Sequence, residues 1–165
     1  MAESAKLIAR LIEHGVEFVV VGGYAATIHG ASYVTFDLDI CAPCFASDVT
    51  NLSRLHAALA DLHPMHRTSL QERPFVFPPG TSEETGNIYL KTDLGQLDVL
   101  GAIELGGYEF VREHSVAVRY GSGEYRVLDC ATLVRSKRVT ARPKDLLVAH
   151  QLAAILEATQ PPPHP

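Results

Sequence analysis

At 165 residues the chain is long enough for one hydrophobic core and, by its length, for one domain. Its 47% hydrophobic and 20% charged residues describe a globular chain, and no apolar run approaches the roughly 18 residues a membrane-spanning helix needs. The formal net charge of −5 argues against indiscriminate nucleic-acid binding. Taken in order, residues 4–14 place Leu7, Ile8, Leu11 and Ile12 on one helical face, and Gly15 closes that helix. The opening segment carries Glu3 and Glu13, so it reads as an amphipathic helix and not as a secretory leader, and the expected compartment is the cytoplasm.

Val16–Val21 has the length and β-branched content of a buried strand. Gly22 and Gly23 break it, a short helix over Tyr24–His29 follows, and Gly30 ends that helix. The next strand spans Thr35–Cys41, where Asp37 and Asp39 alternate with Leu38 and Ile40. Side chains two apart in a strand share a face, so the two carboxylates stand side by side. Such a pair is costly unless a cation lies between them, and a hard divalent ion, Mg²⁺ or Mn²⁺, prefers carboxylate oxygens. Gly22 and Gly23 let backbone approach a ligand closely, and a helix starting there directs free N–H groups toward phosphate. Thr35 shares the face of Asp37 and is placed to hydrogen-bond a phosphate or to orient a carboxylate. Together these features describe a site for a nucleoside triphosphate and its metal.

Farther along, Ser47 or Asp48 caps a helix to about Leu62 with Val49, Leu52, Leu55, Leu59 and Leu62 as its buried stripe. Residues 63–86 hold four prolines and read as an irregular, loop-rich insertion. Asn87–Thr92 and Gln96–Leu100 read as a hairpin turning through Asp93-Leu94-Gly95. Asp98 sits inside the second of these apolar strands, where an unpaired charge is expensive, and it is the natural third metal ligand beside Asp37 and Asp39. A second hairpin joins Ser115–Tyr120 to Glu124–Leu128. Asp129 caps a helix to about Lys137, and a last helix runs from Pro143 to about Ala158. The domain is therefore expected over 1–158, with a disordered proline-rich tail over 159–165.

Three features invite other chemistry. Cys41-Ala-Pro-Cys44 has redox or zinc spacing, yet no second pair accompanies it, and cysteine buries readily as a small hydrophobe. His63 and His66 have metal-compatible spacing without a supporting cluster, so they read as surface residues, and His29 reads as a satisfied polar group at a helix end. Residues 135–144 carry five cations, Arg135, Lys137, Arg138, Arg142 and Lys144, with no acid before Asp145.

The block from Gly22-Gly23 to Asp37-Leu38-Asp39-Ile40 resembles the nucleotidyltransferase superfamily of the DNA polymerase β type. It is most similar to small prokaryotic members: minimal nucleotidyltransferases, aminoglycoside nucleotidyltransferases and AbiEii-like toxins. The segment Lys137…Arg142-x-Lys144-Asp145 is similar to a basic pattern near the C-terminus of the AbiEii-like members. The resemblance implies a mixed α/β (α+β) fold of one domain, with helices packed on one side of a central sheet and a C-terminal helical segment. It implies Asp37, Asp39 and Asp98 as catalytic metal ligands, with Gly22, Gly23, Thr35, Lys137 and Lys144 at the nucleotide. Magnesium or manganese would be the cofactor. The reaction would pass a nucleoside monophosphate from a triphosphate to an acceptor hydroxyl on RNA, protein or a small molecule. A cognate toxin or antitoxin, or a second copy of the chain, would be the protein partner. The family often carries an arginine where this chain has Tyr33, a departure that keeps open a non-catalytic, regulatory module of the same fold. On this reading the cations of 135–144 lack local acidic partners and border the nucleotide cleft. Replacing Lys137 and Lys144 by glutamine is then expected to weaken triphosphate binding and leave thermal stability nearly unchanged.

Overall fold

The periodicities that predict the first helix and strand are realised in a computed structural model that describes residues 2–44, 48–67, 73–76 and 87–159. Helix α1 (Ala2–Glu13) buries Leu7, Ile8 and Leu11. Beyond it, the amides of Gly15 and Val16 each donate at 3.0 Å, to the carbonyls of Ile12 and Leu11, and so close the helix. Strand β1 (Val19–Val20) leads into α2 (Gly22–Ile28), then β2 (Asp37–Cys41) and α3 (Val49–Leu59). In α3 Leu52, Leu55 and Leu59 are buried as their spacing predicts, whereas Val49 is 56% exposed. Asp48 occupies the N-cap position without a side-chain capping bond, and Ser47, the other capping candidate, lies outside the described residues.

The two hairpins fall close to where turn chemistry puts them: β5 (Asn87–Thr92) with β6 (Gly95–Leu100), and β9 (Ser115–Tyr120) with β10 (Gly123–Leu128). Asp129 caps α5 (Cys130–Thr140), its carboxylate accepting from the Thr132 amide at 2.7 Å. Helix α6 (Pro143–Thr159) follows, with Pro143 in its first turn. The irregular insertion contains two short strands, β3 (Met65–His66) and β4 (Arg73–Pro74), while 68–72 and 77–86 lie outside the described residues. So does the tail from 160 onward. Between the hairpins stand three elements the sequence does not announce: β7 (Ala102–Ile103), β8 (Gly106–Gly107) and α4 (Tyr108–Glu113).

Among the described residues eight strands form one sheet in the order β4-β3-β5-β6-β2-β1-β10-β9, and β7 and β8 pair as a separate ribbon. β2 runs parallel to β6 and β1 parallel to β10, while the remaining neighbours are antiparallel, so the sheet is mixed. This is the mixed α/β, single-domain architecture expected. No helix of the described residues is long and apolar enough to cross a membrane.

The two faces of the sheet's centre differ completely. Leu38 and Ile40 of β2, Leu97 and Val99 of β6, and Ile88 and Leu90 of β5 are buried in the core with residues of α1 and α3. By the two-residue period, Asp37, Asp39, Asp98 and Tyr89 all point the other way. The same alternation that builds the core therefore sets a row of acids opposite it.

Candidate functional site

Parallel pairing of β2 and β6 puts Asp39 directly beside Asp98, with Asp37 next to Gln96. Register partners on adjacent strands share a face about 4.8 Å apart. The three predicted acids are thus brought together as neighbours on one surface. The surroundings of Asp39 are acidic on balance. Burial pushes its pKa up to about 6, the charge of Asp98 pushes the same way, and Asp37 adds a smaller push. The Gly23 amide, which donates a hydrogen bond to it, and the Lys137 charge work against this without cancelling it. Asp98 is raised as well, chiefly by burial, although Arg67 both hydrogen-bonds it and opposes the shift.

The glycine pair is built around these acids. Gly22 turns from strand into helix at φ +62, and a Cβ there would lie 2.0 Å from the Asp39 Oδ2. Both the backbone angle and the approach require glycine. A Cβ on Gly23 would come within 3.0 Å of Tyr33 and Thr35. The first turn of α2 thus meets an acid of the protein: the Gly23 N–H, expected to face phosphate, points at Asp39. Thr35 donates its hydroxyl to the Asp37 carbonyl at 3.1 Å, so it braces the start of β2.

A cavity of about 110 Å³ opens over Asp39, lined among others by Gly22, Glu104, Ser136, Lys137 and Arg142. Lys137 of α5 and Arg142, in the link between α5 and α6, supply its basic wall. Of the two lysines expected at the nucleotide, Lys137 lines this cavity, whereas Lys144 is exposed and does not. Two of the five cations, Lys137 and Arg142, have an acidic partner, against the sequence expectation. Lys137 Nζ donates to Asp145 at 2.8 Å, Arg142 pairs with the same carboxylate, and Ser136 donates to Glu104 at 3.0 Å. Asp145 is only 2% exposed. Burial alone would raise its pKa, yet the hydrogen bonds and charges of Lys137 and Arg142 hold it below the usual carboxylate range. Its place in the first turn of a 17-residue helix favours the charged form too.

Arg67 is the residue that sequence reasoning misses. It lies in the segment read as irregular, where no periodicity marks it, and its guanidinium pairs with Asp98 on the acidic face. No three His, Cys, Asp or Glu side chains among the described residues converge closely enough to hold an ion as they stand. The donor set itself suits Mg²⁺ or Mn²⁺ in kind: three neighbouring half-buried carboxylates. Asp98 would have to exchange Arg67 for the metal.

The other candidates resolve as structure. Cys41 and Cys44 are buried and in no disulfide, and burial pushes their thiols up to about 12 and about 11, far from reactive thiolates. His29 Nε2 bonds the Leu128 carbonyl at 2.7 Å. His63 pairs with Asp93 at 2.7 Å on the surface, whereas His66 is buried, edge-on to Phe75. Compared with known proteins, the chain matches no family model and no curated sequence.

Proposed function

We propose that the protein is a metal-dependent nucleotidyltransferase that passes a nucleoside monophosphate from a triphosphate to an acceptor hydroxyl. The observation that carries this reading is the register that sets Asp39 beside Asp98, with Asp37 on the same face, over a cavity walled by Gly22, Lys137 and Arg142. Acids so placed repel one another unless a cation joins them; Arg67 answers Asp98 alone, and Lys137 and the Gly23 amide offset the shift of Asp39 without cancelling it. Mg²⁺ or Mn²⁺ held by Asp37, Asp39 and Asp98 would neutralise phosphate charge and acidify the attacking hydroxyl. Lys137 and Arg142 contribute positive charge on the opposite wall, where the phosphates of a bound triphosphate would lie. Asp98 accepts the proton of the acceptor hydroxyl. The acceptor oxygen bonds the α-phosphorus as the α–β phosphoanhydride breaks, and pyrophosphate leaves with the bonding electron pair.

The test is transfer of α-phosphate label from each nucleoside triphosphate, with Mg²⁺, to components of a cell lysate. Label should move in the wild-type protein and not in Asp37→Asn or Asp98→Asn. A second reading, a regulatory module that binds without transferring, is favoured by two observations. Arg67 occupies the third acid, and Tyr33 stands where the resembled family carries an arginine. Binding of a metal–triphosphate without transfer to any lysate fraction would select it.

A further inference from the structure

The acidic face carries its own cation, and that cation is held in a way that permits release. The Arg67 amide donates to the Tyr89 carbonyl at 3.0 Å; Tyr89 is the register partner of Asp98, and Asp98 that of Asp39. A single row therefore crosses the sheet from Arg67 to Asp39. The Arg67 guanidinium lies 5.8 Å from the centre of the Tyr89 ring and reaches the Oδ1 of Asp98. The Arg67 side chain is 30% exposed and that of Asp98 13% exposed. An arginine with access to water on one side can leave its partner, unlike the pair that buries Asp145, where the lysine is 12% and the acid 2% exposed. The aromatic face beneath the guanidinium gives it a second resting contact that does not depend on Asp98.

We infer that Arg67 is a displaceable counter-ion for Asp98 that surrenders the carboxylate when metal and triphosphate arrive together and then pairs with the phosphates. This rests on the nucleotidyltransferase reading and deepens it. A divalent ion alone must compete with Arg67 for Asp98 and is repelled by the guanidinium left nearby. A triphosphate brings the negative charge that draws Arg67 off. The planar fork of arginine suits phosphate, and Arg67 stands just past the end of β3. Metal binding and triphosphate binding thereby become mutually dependent.

The experiment measures Mn²⁺ binding by calorimetry in wild type, Arg67→Gln and Arg67→Lys, alone and with inorganic tripolyphosphate. Arg67→Gln should bind Mn²⁺ alone about tenfold tighter or more, as expected for removing a unit charge a few ångströms away. With tripolyphosphate present the same variant should bind about tenfold weaker than wild type, because a charge-assisted phosphate contact is gone. Arg67→Lys keeps the charge and should follow wild type for Mn²⁺ alone, which guards against a folding defect in the glutamine variant. Wild type that binds Mn²⁺ and tripolyphosphate with affinities Arg67→Gln leaves unchanged, or shifts in the same direction, overturns the role of Arg67 and spares the nucleotidyltransferase reading. No Mn²⁺ binding by any of the three proteins, with or without tripolyphosphate, overturns both.

Discussion

One lysine addresses two acids, buried Asp145 and half-buried Asp39, and their situations are opposite. Lys137 donates to Asp145, which also holds Arg142, so that carboxylate has two cations and its pKa lies below the ordinary range. Lys137 also acts on Asp39, but burial first, and then Asp98 beside it and Asp37 on the same face, raise its pKa to about 6. Asp145 is a finished ion cluster that fastens α6 to α5. Asp39 belongs to an unfinished one. On the proposed reading, the difference separates acids that stabilise a fold from acids that await a ligand.

The comparison breaks most visibly through Asp145. Asp145→Asn leaves Lys137 facing the interior without its carboxylate, and removing one partner of a buried pair costs about 3–5 kcal/mol. Urea unfolding should show that loss with metal chelated. Lys137→Gln should destabilise as well, which reverses the thermal silence the sequence leads one to expect. Asp39→Asn should behave oppositely, leaving the chelated protein as stable as wild type or more so above pH 6.

The same contrast has a pH signature of similar size. Asp39 has a folded pKa near 6, above its ordinary 3.8, so the native state binds more protons than the unfolded chain between those values. Its contribution is therefore favourable at the acid end, is lost as pH rises through about 6, and amounts to about 3 kcal/mol. Asp145 is shifted the other way, so its stabilisation is present above pH 3.8 and is lost as pH falls below that through its lowered pKa. Subtracting the unfolding free energy of Asp39→Asn from that of wild type, from pH 4 to 7 in chelator, should give a difference that falls with rising pH. A flat difference would mean that burial and the neighbouring acids do not raise Asp39.

Smaller effects sharpen the geometry. Gly22→Ala forces a side chain into φ +62 and against the Asp39 carboxylate, which should cost about 2 kcal/mol. It should also impair metal-dependent stabilisation, read as a reduced shift in melting temperature. Lys144→Gln lies on an exposed position outside the cavity and should change stability by less than about 0.5 kcal/mol.

What could be read in the sequence is what local pattern encodes. The alternation Asp37-Leu38-Asp39-Ile40 and the isolated Asp98 announce both the core face and the acidic face, because a period of two fixes which side each residue takes. Asp129 announces its cap and the Asp93-Leu94 turn its hairpin. The run Val16–Val21 yields only Val19–Val20 as paired strand, since Val16 is drawn back to close α1. Residues 101–114 form two-residue strands and a six-residue helix, too short to carry a period. Arg67 and the bridging of Asp145 stayed hidden for a further reason. Both depend on partners 31 and 8 residues away, and only the sheet register and the α5–α6 packing bring them into contact.

The central claim, that Asp39 and its neighbours await a cation with a triphosphate, is tested most directly by thermal melting. Wild type and Asp39→Asn would be compared with chelator and with Mn²⁺ plus a non-hydrolysable nucleoside triphosphate. At ligand concentrations near a hundred times the dissociation constant, wild type should gain about 2.7 kcal/mol, several degrees in melting temperature for a domain of this size, and Asp39→Asn should gain none. No gain in wild type, together with an Asp39→Asn variant destabilised by several kcal/mol in chelator, would make the acids structural and contradict the account.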